Sequence, residues 1–387
     1  MAKTIYLDYA ATTPVDTRVL KAMTPYFSKS FGNASSLHTI GQKARAALEN
    51  ARKEVASLIN AEPEEIVFTS GGTESDNLAI KGVAFANKEK KHIITSSIEH
   101  MAVMETVEWL ERQGWEITIL PVDKFGLVDL EKLKGSIRKD TLLVSIMHAN
   151  NEIGTIENIK EIGKICHDHN VLFHTDAVQT FGKIPIDVKK MNVDLLSASS
   201  HKIYGPKGVG CLYVRKGTEI EPILHGGGQE SGLRSTTENV AGIIGFAETC
   251  RLRKREMKSE AKRLEKIRDK LIKGVLKIEE SHLNGHPKYR LPNNANFRFS
   301  FIEGESLITQ LDFEGVEAST GSACSTRTLE PSHVLLAIGL KPEEAHGSLR
   351  LTLGKYTKDS DINYVLRILP KIVKRLRTIS PFKGKWE

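Results

Sequence analysis

The chain has 387 residues and a mass of 43.0 kDa, with 40% hydrophobic residues, 27% charged residues and a formal net charge of +7. That balance suits a globular protein of two or three domains with a sizeable core, and it speaks against disordered, fibrous and disulfide-rich secreted classes. No apolar run reaches the ~18 residues of a membrane span, residues 1–9 carry no signal-peptide pattern, and the four cysteines (Cys166, Cys211, Cys250, Cys324) form no C-x-x-C pair, so a cytoplasmic enzyme is expected.

In chain order, short β-branched runs at 66–69, 92–96, 116–120, 142–147, 171–175, 193–199 and 209–214 predict strands. Helical spacing at 75–85, 101–113 and 159–169 separates several of them. Such alternation predicts an α/β fold whose mostly parallel sheet is covered on both faces. After Arg215 the pattern changes. A glycine loop, Gly226-Gly227-Gly228, leads to a basic stretch at 251–273 in which Leu264, Ile267 and Leu271 recur at i, i+3, i+7. This predicts an amphipathic helix with a solvated charged face. No zinc finger, RNA-binding aromatic motif or repeat accompanies it, so nucleic-acid binding is not expected. Strand, helix and strand patterns at 295–301, 305–311 and 349–353 then predict a smaller α+β domain. The expected division is a large domain over 15–255 and a small one built from 1–14 and 256–387.

Three motifs carry chemistry. Thr69-Ser70-Gly71-Gly72-Thr73-Glu74-Ser75 follows a strand and opens a helix, where free N–H groups can hold a phosphate. Alone it reads equally as a capped turn. Asp176, in His174-Thr175-Asp176-Ala177-Val178-Gln179, stands at a strand's C-terminal end, where open α/β sheets bind ligands. Lys202 follows another strand, in Ser199-Ser200-His201-Lys202, ahead of Tyr204-Gly205-Pro206-Lys207-Gly208. Together they meet the demands of pyridoxal 5′-phosphate: a lysine for the Schiff base, a carboxylate for the pyridine nitrogen and donors for the phosphate. Cys166-His167-x-His169 falls in one helical run and supplies no complete ligand set, so no resident metal is expected. Cys324 lies in a polar, glycine-containing segment at 319–328, where a thiol could stay accessible.

These motifs belong to a longer ordered series. It includes Tyr6-Leu-Asp-Tyr-Ala-Ala-Thr-Thr-Pro14, Phe31-Gly-Asn33, Phe68-Thr-Ser-Gly-Gly-Thr-Glu-Ser-Asp-Asn77, Ser145-Ile-Met-His-Ala-Asn-Asn-Glu152, Gly226-Gly-Gly-Gln229, Gly321-Ser-Ala-Cys324 and Ser348-Leu-Arg350. Over essentially its whole length the chain resembles a cysteine desulfurase of the NifS/IscS type, among the fold-type-I pyridoxal-phosphate enzymes. The resemblance implies that Lys202 carries the cofactor, Asp176 faces its ring nitrogen, and His100 stacks on the ring and moves protons. It implies that Gln179 and Asn151 touch the ring oxygen and the substrate side, and that Gly72, Thr73, Ser199 and His201 hold the phosphate. Thr237 would reach the phosphate of a second copy in a homodimer, Arg350 would grip the substrate carboxylate, and Asn33 would approach the substrate. Cys324 would take the sulfur of L-cysteine as a persulfide, releasing L-alanine, and pass it to an iron–sulfur scaffold protein or another acceptor; a transient iron–sulfur ligation by Cys324 is the one metal role left open. Two positions depart from the family pattern: Ser231 stands where many relatives carry Arg, and Thr236 where Gly is common. The stretch after Phe382 is also short where some relatives carry a scaffold-docking tail. An aminotransferase of the same fold, and a non-catalytic assembly protein, are the competing readings.

Overall fold

The structure, a computed structural model, describes residues 4–87, 89–321 and 331–380; Cys324 and the chain after Ser380 lie outside the described residues. Twelve strands form among them: β1 (Ile5–Tyr6), β2 (Ile66–Thr69), β3 (His92–Ser96), β4 (Glu116–Leu120), β5 (Thr141–Ser145), β6 (Leu172–Asp176), β7 (Leu195–Ser199), β8 (Gly210–Val214), β9 (Ser281–Asn284), β10 (Asn294–Phe299), β11 (Val316–Glu317) and β12 (Ser348–Thr352).

Seven of them form one sheet in the order β2-β8-β7-β6-β5-β3-β4, parallel except for β8. Alternate residues supply its two cores. Ile66, Phe68, Ile94, Val144, Phe173 and Leu196 pack on one face, and Val67, Ile93, Leu143, Leu195 and Leu212 on the other. The sheet strands are those the sequence predicts, with small shifts at their ends. β5 ends at Ser145, where its pairing with β3 ends, although Ile146 and His148 still donate their N–H groups to the His174 and Asp176 carbonyls of β6. β7 starts late because Asn192 turns through a left-handed conformation, φ 51°. From β3 the chain runs outward to β4 and then returns to the other side of β3 with β5. That reversal is the switch point at which open α/β sheets gather ligands.

The basic stretch belongs to one helix, Val240–Val275, 36 residues without a break. Its Lys, Arg, Glu, Leu and Met content favours helix throughout. Ile243, Phe246, Ala247 and Cys250 pack against the large sheet, while Leu264, Ile267, Leu271 and Val275 join a second core. That core lies against an antiparallel sheet, β12-β10-β9, with the helix Asp359–Ile379. On β12, Leu349 and Leu351 face this core and Arg350 belongs to the opposite, polar face. The N-terminal segment ties the two regions together: β1 pairs with β11, Thr352 N donates to Leu7 O at 2.7 Å, and Thr13 N donates to His201 O at 3.0 Å. No helix among the described residues is long and apolar enough to cross a membrane.

Candidate active site

A cavity of about 700 Å³ opens at the C-terminal ends of β3, β5, β6 and β7. Each strand end delivers one polar side chain: His100 after β3, Asn151 after β5, Asp176 at the end of β6, and Ser199 followed by His201 and Lys202 at the end of β7. The helix Gly72–Ala86 points its first residues, Gly72 and Thr73, into the same space. Gly72 is required there, because a Cβ would sit 2.7 Å from Cγ2 of Val178.

Lys202 Nζ donates to the backbone carbonyls of Ala10 and Ala11 at 2.7 and 2.8 Å. The N-terminal segment thus aims the only lysine side chain that lines the cavity among the described residues. Asp176 is buried, and its Oδ1 accepts from Val178 N at 2.8 Å. Burial pushes this carboxyl upward, while His100, the Val178 N–H and Lys202 pull it back toward the anion. His100 caps the helix Met101–Arg112, its Nδ1 accepting from Ala102 N at 3.1 Å. When neutral the ring therefore carries its proton on Nε2. Burial, with Lys202 and His333, holds the imidazole below its ordinary range against the pull of Asp176. His201 is pushed down to about 4 by burial and by Lys202, Lys207 and Lys183, and its Nδ1 lies 3.1 Å from Thr12 Oγ1.

Arg350 reaches the cavity from β12. It is 3% exposed, with Nη2 on Asp8 Oδ1 at 2.8 Å and Nη1 on the Asn151 and Gly321 carbonyls at 3.0 and 3.2 Å. Its buried Nε has no hydrogen-bond partner. The guanidinium lines the cavity with its Nη groups already engaged, so a carboxylate that pairs with it exchanges for one of these contacts.

Ten of the residues expected from the sequence therefore line one cavity: Gly72, Thr73, His100, Asn151, Asp176, Gln179, Ser199, His201, Lys202 and Arg350. Asn33 and Thr237 do not; both are exposed, and Asn33 Oδ1 caps the Ser35 N–H at 2.9 Å. Cys324 falls outside the described residues, between Gly321 and Pro331, which both line the cavity. The other three cysteines are buried, and burial pushes their thiols up, so none is a ready nucleophile.

Several lining residues escape a reading of the sequence. Asp76 is fully buried behind Asp176, and burial together with Asp176 and Glu99 pushes it up against a hydrogen bond from Ser197. Its place one turn into the helix after Gly72 was the available signal. Glu152 accepts from Ser332 Oγ at 2.6 Å, and His333 Nε2 lies 2.9 Å from the Glu99 carbonyl. Nothing in their local sequence marks them, since they meet only through the tertiary fold.

The chain resembles known proteins over essentially its whole length. The aminotransferase class-V family matches residues 5–365. The cysteine desulfurase IscS of Dictyoglomus turgidum is 57% identical over 389 residues, covering 100% of this chain and 99% of the relative. The IscS of Methanosarcina thermophila is 56% identical, covering 99% and 95%. Among solved structures, a NifS-like protein superposes with a TM-score of 0.91 at 41% identity, covering 97% of this chain and 100% of that one. SspA in complex with cysteine follows with a TM-score of 0.81 at 40% identity, covering 92% and 100%.

Proposed function

The chain belongs to the aminotransferase class-V family and, within it, to the cysteine desulfurases, and on that premise we propose that its cavity binds pyridoxal 5′-phosphate and L-cysteine and delivers sulfur to Cys324. The observation that carries this reading is Lys202, held by the Ala10 and Ala11 carbonyls in one cavity with Asp176 and Arg350. The residues fit the cofactor. Gly72 leaves room at a helix start whose N–H groups, with Ser199 and His201, suit a phosphate. Asp176 supplies a buried carboxylate for a ring nitrogen, and His100 a flat partner for the ring. When bound, the cofactor supplies an electron sink for the α-carbon of an amino acid.

The protein's own groups do the rest. Arg350 takes the substrate carboxylate from the cavity wall, exchanging one of its carbonyl contacts for it, and Asn151 flanks it. Lys202 Nζ removes and returns the α-proton. The Cys324 thiolate attacks the substrate sulfur. An S–S bond forms as the C–S bond breaks, and the electron pair left on carbon takes a proton to give L-alanine. The persulfide then hands its outer sulfur to an acceptor protein, an iron–sulfur scaffold or a thiolation enzyme, in the cytoplasm. The burial of the three other cysteines supports this role for Cys324. A homodimer completes the site, with Thr237 reaching the second copy's phosphate. Phe27, Phe31 and Leu37, 65%, 66% and 92% exposed, support a partner surface. Two ion pairs, Arg52 with Glu230 and Arg234 with Glu74, brace the loop that leads to Thr237.

The test is a cysteine pulse followed by alkylation and mass spectrometry. The extra sulfur is expected on Cys324, and Cys324→Ser is expected to exchange the α-proton yet form little alanine. Sulfur on another cysteine, or full turnover by Cys324→Ser, overturns the mechanism. Light scattering is expected to give a dimer; an active monomer with bound cofactor overturns the shared site.

A further inference from the structure

Residues 177–184 wind through helical turns, Phe181 N donating to Ala177 O and Ile184 N to Thr180 O. Side chains four apart therefore share a face, which brings Lys183 onto Gln179. Lys183 Nζ donates to Gln179 Oε1 at 3.0 Å, and Gln179 Nε2 donates to Ala10 O at 3.1 Å. The same Ala10 carbonyl accepts from Lys202 Nζ at 2.7 Å. A backbone carbonyl can only accept, so Nε2 must face Ala10 and Oε1 faces Lys183, which fixes the two ends of the Gln179 amide. Gln179 lines the cavity and Lys183 stands behind it. One Nε2 hydrogen is spent on Ala10, and the other is left for whatever occupies the cavity.

The charges around Lys183 are mostly of its own sign: Lys202, Arg253 and Arg350. Glu260 is the opposing acid, but it already receives Arg253 at 2.6 Å and the Tyr204 hydroxyl at 3.0 Å. Arg350 is matched by Asp8. Burial and these cations push Lys183 down to about 7. Coulombic coupling is mutual, so the charge on Lys183 also acts on Lys202.

We propose that Lys183 is a positioning residue of this site: it fixes the Gln179 amide as a donor toward the cofactor, and while protonated its charge lowers the proton affinity of the Lys202 nitrogen. No catalytic contact is assigned to it. The inference rests on the reading that the cofactor is carried by Lys202, and the test separates the two.

The readout is the pH midpoint of the visible absorbance of the purified holoenzyme, with no substrate present. Removing the cation and freeing the amide both favour a protonated Lys202 nitrogen. Lys183→Met is therefore expected to raise the midpoint by about 1 pH unit, the order expected for a charge several ångströms away. Lys183→Arg keeps a cation and a donor, and is expected to restore the midpoint toward that of the wild type. Should Lys183→Met fail to retain cofactor, Gln179→Met breaks the same link and is expected to raise the midpoint as well. An unshifted midpoint in the cofactor-bearing variant overturns the inference. A wild-type protein without the band, or a band that survives in Lys202→Ala, overturns the underlying reading instead.

Discussion

Behind the small sheet β12-β10-β9 lies an apolar cluster that runs from Ile5 and Leu264 to Leu351, Val365 and Leu376, with Arg290 buried beside the sheet. At the C-terminal edge of the large sheet, Asp76, Glu99, His148, His174 and Asp176 are buried instead. Burial pushes Glu99 up to about 8, so it is uncharged at neutral pH, and pushes His174 down to about 3, so it stays neutral far into acid. An apolar core gains stability from every group it covers, whereas buried ionisable groups oppose folding unless each is paired or neutralised. The contrast teaches that five buried ionisable groups gather at one sheet edge, an arrangement that favours shifted proton affinities, although Arg290 beside the small sheet and His92 at the opposite end of β3 are buried too. The small sheet sends one charged side chain, Arg350, across to that edge.

The comparison breaks most sharply with Lys202→Ala. Turnover is expected to fall at least about 10³-fold, to background, while the thermal midpoint stays within a few degrees. Near-wild-type alanine production would remove the site from this edge. Asp176→Asn is expected to retain cofactor but slow α-proton exchange about 10²–10³-fold, as loss of one preorganised charge does; isotope exchange at the wild-type rate contradicts it. Leu351→Ala is the mirror image. It should lose about 2–5 kcal/mol in denaturant unfolding, with kcat preserved wherever the variant stays folded. A catalytic loss without a stability loss would erase the distinction between the two regions.

Smaller effects sharpen the contrast. Glu99 and Glu157 keep their protons up to about 8, against 4.5 in an unfolded chain. Between those values the folded chain binds more protons, so stability falls as pH rises and this contribution is gone above about 8. His148 and His174 stay neutral down to about 4 and about 3, against 6.5 unfolded, and their contribution is lost as pH falls through that window. From pH 6.5 to 8 each glutamate is expected to lower stability by about 1.4 kcal/mol per unit, while Lys183, pushed down to about 7 from 10.5, opposes them above about 7. Glu157→Gln, away from the cavity, should remove one glutamate's share, about 1.4 kcal/mol per unit, from that decline; an unchanged pH dependence counts against a neutral Glu157. Least of all, removing the exposed Lys270–Asp359 pair should leave the unfolding midpoint unmoved.

The parts of the site that lie on strand ends were legible in the sequence, because a β-branched run followed by Asp176, or by Ser199 and Lys202, fixes both the element and its exit. The Gly72-Thr73 turn was legible for the same reason. Arg350 and His100 needed the family resemblance, since an arginine in a strand and a histidine before a helix have ordinary structural uses. Asp76, Glu152, His333 and Lys183 were not legible. Their roles arise from contacts with Ser197, Ser332, Glu99 and Gln179, and only Lys183 lies within one turn of its partner. The continuity of the helix Val240–Val275 through residue 255 was likewise hidden, because its first half is apolar and its second half basic.

The N-terminal crossing carries a consequence for synthesis. Asp8 waits for Arg350, 342 residues later, and Ala10 and Ala11 wait for Lys202, 192 and 191 residues later. A ribosome releases these groups in the opposite of the order in which they are needed. The carbonyls that aim the lysine emerge among the first residues, yet β12, which holds their segment down through Thr352, emerges among the last. The nascent large sheet can form its strand pairs as it appears, but the cavity stays unfinished until translation has passed residue 352. Contacts of such separation are the slow ones to close. The Arg350 wall of the cavity and the Thr352 anchor of the N-terminal segment are therefore completed only in a late step.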